Sequence, residues 1–201
     1  MKYLFSYLLI CGLFFTWMFA AIIPYPIFSD IGTLTKEQQA FLNDVNESEK
    51  TLTVETPPLL SAVSLDWFDT VNIIFEKYKN TRIIDVETGI QYFVQRTGGY
   101  NHADVEPIDI ENMQKFNDIY NNQWSWDRRP VWVEINNMWV AASINGMPHG
   151  YSLISGNGQN GHTCIHFSQS KTHGTKNVDA SHQNAVKYAF NNGHKLNELQ
   201  L

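Results

Sequence analysis

Between residues 82 and 144 the chain twice spells a strand, a tight turn and a second strand, and no other feature limits the fold as much. The first unit runs over 82–86, turns at Glu87-Thr88-Gly89 and returns over 90–95, with Gly98-Gly99 closing it. The second runs over 131–135, turns at Asn136-Asn137 and returns over 138–144. Adjacent asparagines tolerate the left-handed backbone that a two-residue hairpin needs. Three helical patterns flank these units. Trp67, Val71, Phe75 and Tyr78 share a face over 66–79, and Ile108, Met113, Phe116 and Ile119 share one over 107–120. The third runs over about 180–191, with Asp179 as N-cap, Ala185, Val186, Ala189 and Phe190 inward, and Gly193 as the stop. The expected fold is mainly β, a sandwich or barrel-like mixed sheet with a few peripheral helices, over residues 65–201.

The N-terminus sets the compartment. Residues 3–23 carry no charge, Lys2 precedes them, and the next charge is Asp30. About 20 apolar residues span a bilayer as a helix, and the single positive flank favours export of the chain beyond it. The run is longer than an ordinary signal core, and bulky Met18 or Phe19 precedes each possible cleavage point. Both facts favour a retained transmembrane anchor over a cleaved signal peptide. Residues 24–64 read as a tether punctuated by Pro24, Pro26, Pro57 and Pro58. The expected location is extracytoplasmic, anchored to the cell membrane through the N-terminal helix or secreted to the cell wall.

Composition narrows the function. Apolar residues make up 43% and charged ones 17%, which excludes wholesale disorder. The first 23 residues hold one lysine and no acid, so the rest carries −7 of a total formal charge of −6. Such a balance excludes an electrostatic nucleic-acid binder. Two cysteines, Cys11 and Cys164, exclude a disulfide framework and a thiolate zinc cluster.

The irregular stretch 145–178 is rich in Gly, Asn, Ser and His, and a stretch so long inside a compact domain is usually functional. It contains Pro148-His149-Gly150 and, after a spacer, Gly161-His162-Thr163-Cys164-Ile165-His166-Phe167. A lone thiol outside the cytoplasm is oxidised unless it is buried or used. A nearby imidazole lowers a thiol's pKa or takes its proton. Cys164 is therefore either a nucleophile or an inert buried residue at a strand end.

This pattern resembles the signature of the L,D-transpeptidases of the YkuD type: a His followed by Gly or Ser, a spacer, then Ser/Thr-His-Gly-Cys and usually Arg. The strand–turn–strand unit over 83–95 is similar to the start of that domain, and the likeness covers about residues 80–190. The resemblance implies that Cys164 is the nucleophile, that His149 is the general base and that His162 lines the acyl site. It also implies that Gly150 helps orient the base and that the backbone N–H groups of His162, Thr163 and Cys164 form an oxyanion hole. Thr163 stands where the family has Gly, Gly161 where it has Ser or Thr, and His166 where it usually has Arg. The implied chemistry is acyl transfer on peptidoglycan stem peptides through a thioester, with no cofactor and no metal, and with acylation by a carbapenem.

Other readings of the same residues stay open. Six of the seven histidines fall between 102 and 182. His102, Asp104 and a later histidine such as His162 have ligand-like spacing for a zinc-dependent wall peptidase. His162 and His166 do not, because in a strand they lie about 13 Å apart. Residues 102–107 suit either a substrate-facing loop or a helix start. Trp124, Trp126, Arg128 and Arg129 suit a grip on a glycan or a peptide carboxylate, as does His166. A non-catalytic wall-binding module using Trp124 and Trp126 is the third alternative.

Overall fold

The computed structural model describes residues 36–37, 39–40, 59–199 and 201. The folded part lies within a unit that spans residues 57–201. The expected N-terminal anchor and most of the tether lie outside the described residues. Among the described residues no helix is long and apolar enough to cross a membrane.

The folded unit is mainly β. Its strands are β1 (Ala62–Val63), β2 (Asn80–Asp85), β3 (Gln91–Gly98), β4 (Ala103–Pro107), β5 (Arg128–Ile135), β6 (Met138–Asn145) and β7 (Thr163–His166). Antiparallel pairing runs β6-β5-β2-β3-β4-β7, and β7 also pairs with β6, so six strands close into a barrel. Strand β1 adds to the outside edge of β6 in parallel, through Ala62 against Trp139 and Val63 against Val140. The folded unit thus begins inside what reads as tether. Helix α1 (Ile110–Asp118) follows β4, helix α2 (Ala180–Asn191) follows β7, and a 3-10 turn over Gly193–Glu198 ends the chain.

Period-two sequence builds this wall. Ile83, Val131, Val133, Val140, Ala142, Ile144 and Ile165 point into the barrel beside Trp67, Tyr92, Phe116 and Phe167. Their neighbours Ile84, Trp132, Trp139 and Ala141 point outward and are covered by Val186 and Ala189 of α2 and by Leu196. Both faces of β2, β5 and β6 are therefore buried. Asn136 and Asn137, at φ 50° and 61°, make the tight turn between β5 and β6.

Three expectations need correction. The pattern over 66–79 forms only a π-turn over Trp67–Val71 and one more turn over Asn72–Ile74, after which Phe75 is extended. Lys77 then bridges to Arg96, which leaves Tyr78 exposed with φ 62°. Trp67, Val71 and Phe75 still pack inward. In α2, Phe190 is exposed, not inward. Residues 103–107 are neither loop nor helix start but strand β4.

Candidate active site

The register of three strands decides which side chains meet. Opposite Cys164 on β7 lies Asp104 on β4, and opposite His166 lies Ser143 on β6. Ile165, between Cys164 and His166, fills the barrel core. Alternation therefore turns Cys164 and His166 to the outer wall, with Asp104 and Ser143 beside them. His102, two residues before Asp104, and Asn145, two residues after Ser143, line the same cleft, of about 250 Å³, with Trp126, Arg128, His149, His173 and His182. Cys164 is only 2% exposed, yet this histidine-lined cleft is what its side chain reaches.

His149 comes to the thiol from a loop. Its backbone and that of His162 exchange hydrogen bonds of 2.9 and 2.8 Å. Two glycines permit this crossing. Gly161 has φ 102°, and a Cβ there would lie 2.7 Å from the His149 carbonyl oxygen. Gly150 has φ 68°, and a Cβ there would lie 2.5 Å from the His162 ring. The buried Glu106 carboxylate holds the next segment, accepting from Ser152 Oγ (2.6 Å), Leu153 N (2.8 Å) and Ile154 N (3.1 Å). Nothing in the sequence marked Glu106 for this task beyond its two-residue offset from Asp104.

The ring of His149 donates from Nδ1 to the Met147 carbonyl at 2.8 Å, so Nε2 is the accepting nitrogen. Nε2 stands 3.1 Å from Cys164 Sγ. Burial, more than the neighbouring His162, holds His149 below its ordinary value, so the ring is neutral near pH 7. Burial pushes the Cys164 thiol well up, the Asp104 carboxylate adds to this, and an Asn145 hydrogen bond opposes it. The resting pair is thus thiol and imidazole, not thiolate and imidazolium. Burial also acts to raise Asp104, but the surrounding His102, His162 and His173 outweigh it and hold the carboxyl low.

A second tier of imidazoles backs the site. His182 stacks on His166 at 3.7 Å between centroids, and His166 stacks on His102 at 4.4 Å. Burial holds His182 down at about 4 and His166 lower still, so these two rings are uncharged. His182 Nδ1 pairs with Ser143 Oγ at 2.9 Å. The Asp179 cap receives the His182 N–H and places this ring at the start of α2. His182 was visible in the sequence only as one more histidine.

The structure does not bring every expected residue together. Trp126 stands over His149, with ring centroids 5.1 Å apart, and Arg128 lines the cleft while donating to the Trp126 carbonyl. Arg129 is turned elsewhere, donating to the buried Asp85 at 2.8 and 2.7 Å. The His162 N–H is spent on the His149 carbonyl, so it does not serve an oxyanion. Thr163 has no positive φ, and its hydroxyl faces the Val105 carbonyl. Among the described residues two overlapping groups have metal-ligand geometry: His149, His162, Cys164 and His173, and His102, Asp104, Cys164 and His173. Neither contains His166.

A closed six-strand barrel with a Cys–His pair on its outer wall defines the molecule. No protein-family model matches the chain, and no curated protein and no solved structure is significantly similar to it.

Proposed function

We propose that residues 57–201 are a cysteine acyltransferase acting on peptidoglycan stem peptides, a divergent relative of the YkuD-type L,D-transpeptidases, exported and held at the membrane or in the wall. One observation carries this reading: His149 Nε2, in its accepting tautomer, lies 3.1 Å from the Cys164 sulfur. That is hydrogen-bond reach between a nucleophile and its base, with the base oriented by a third group.

The neutral pair dictates the chemistry. Cys164 Sγ attacks the carbonyl carbon of the donor amide as His149 Nε2 takes the thiol proton. The Asp104 carboxylate disfavours a resting thiolate but favours the imidazolium that forms at this step. His149 then passes the proton to the departing D-alanine nitrogen, leaving a thioester. An amine from a second stem, or water, attacks the thioester, and His149 accepts and returns a proton once more. In this reading Trp126, above the base, packs on the donor's aliphatic side chain, and Arg128, on the same wall, pairs with its carboxylate.

The test is incubation of the full chain with a tetrapeptide stem, following D-alanine release and the acyl-enzyme mass. Release with a thioester on Cys164 supports the proposal. Turnover that survives Cys164→Ala, or that a chelator abolishes, favours a zinc peptidase and overturns it.

A further inference from the structure

Around Cys164 three rings are fixed from behind by backbone carbonyls. His149 Nδ1 donates to Met147 O (2.8 Å), His162 Nδ1 to Tyr151 O (3.1 Å), and His102 Nδ1 to Lys171 O. A carbonyl only accepts, so each ring carries its hydrogen on Nδ1 and offers a bare Nε2 lone pair. Asp104 Oδ1 lies 3.4 Å from His102 Nε2, 3.6 Å from His162 Nε2 and 3.3 Å from His173 Nε2. The centre thus holds three ring lone pairs and a carboxylate. Only two hydrogens answer them: that of the thiol, 3.1 Å from His149 Nε2, and that of His173, 2.9 Å from His102 Nε2. His162 Nε2 is buried with no hydrogen-bond partner. A cluster rich in acceptors and poor in donors is built for a cation.

We propose that this cluster binds a zinc-type transition-metal dication through Cys164, His149, His162 and His173, with the Asp104 carboxylate alongside. These four ligand atoms lie within 4.8 Å of one another. In a tetrahedral zinc site the ligand atoms stand roughly 3.3–3.7 Å apart, given Zn–N of about 2.0 Å and Zn–S of about 2.3 Å. Small side-chain rotations close the difference. The half-exposed His173 moves its ring hydrogen to the other nitrogen through water to become a ligand. A thiolate with imidazoles selects zinc or copper over magnesium or calcium. The carbonyls behind the rings do what such partners do in metal sites, fixing the tautomer and aiming the lone pair.

Binding replaces the thiol hydrogen: Cys164–SH and M²⁺ give Cys164–S–M⁺ and a proton released to solvent. The ion takes the sulfur and the base together, so the metal-loaded site is silent for acyl transfer. That silencing rests on the proposed function; the binding itself does not.

The full chain, stripped of metal, is titrated with Co²⁺ and followed by thiolate-to-cobalt charge-transfer absorption. Zn²⁺ affinity is measured by competition with a chromophoric chelator. One ion per chain is expected, with the band absent in Cys164→Ser and affinity at least tenfold weaker in His162→Gln and His173→Gln. The proposal is overturned if no band appears at stoichiometric cobalt, or if it survives Cys164→Ser, which would put the metal on Cys11. His173 is half exposed on a loop, so its variant tests the site even where Cys164→Ser misfolds; unchanged affinity in both histidine variants also overturns the proposal. Acyl-enzyme formation in the same samples, with zinc and then chelator, separates the two claims. A cobalt band without acylation under any condition retires the acyltransferase and leaves the metal site standing.

Discussion

His149 and His162 are joined backbone to backbone in both directions, at 2.9 and 2.8 Å, although twelve residues separate them in the chain. This bridge carries the base to the sulfur. Loop 150–161 closes on it, and β7 begins one residue beyond it.

The bridge depends on Gly161. With φ 102° and a Cβ position 2.7 Å from the His149 carbonyl oxygen, Gly161→Ala forces the two segments apart. Stability should fall by about 2 kcal/mol, read by urea denaturation. Acyl-enzyme formation should fall further than unfolding explains, because the base moves from the thiol.

Removing the base tests its role separately. His149→Gln should slow acylation by about 10²–10⁴-fold, measured under single turnover. In the native protein the neutral ring is the active form, and burial holds its titration below the ordinary 6.5. The rate should rise through mildly acid pH and stay level from about pH 7 to 8. A thiol ionising unaided would instead give a rate that climbs into alkali.

Arg129 should matter for the fold and not for the chemistry. Its guanidinium meets the fully buried Asp85 at 2.8 and 2.7 Å. Arg129→Ala leaves that buried carboxylate without a cation, held only by the Thr88 N–H and hydroxyl, and should cost about 3 kcal/mol, seen as a lower melting temperature. The acylation rate per folded molecule should be unchanged.

Acid should unfold the protein through its histidines. His149, His166, His173 and His182 all sit below their ordinary value, chiefly through burial. The unfolded chain therefore takes up protons that the fold refuses, and stability present above pH 6.5 is lost as pH falls toward about 4, where His182 titrates. His182 alone accounts for something on the order of 3 kcal/mol. Thermal melts from pH 7.5 to 4.5 check this, and His182→Asn should flatten the slope.

Much of the wall was legible because its signals are local. The Asn136-Asn137 turn, the alternation in 131–144 and the Asp179 cap each act within a few residues. The π-turn at 67–71 was not legible. Its helical spacing is real, but the Lys77–Arg96 bridge draws the following chain into extended backbone. In the site, the proximity of Cys164 and His149 was readable as a motif. Asp104 opposite Cys164, and His182 over His166, depend on strand register and on helix docking, which no local pattern encodes. Arg129 misled for the same reason, since its partner Asp85 lies on the neighbouring strand.

The most direct measurement is intact mass of the metal-free full chain after exposure to a carbapenem. One adduct per chain, mapped to Cys164 and lost in Cys164→Ala, is the result predicted. No adduct on the folded protein, or one that persists in the alanine variant, would contradict the account at its centre.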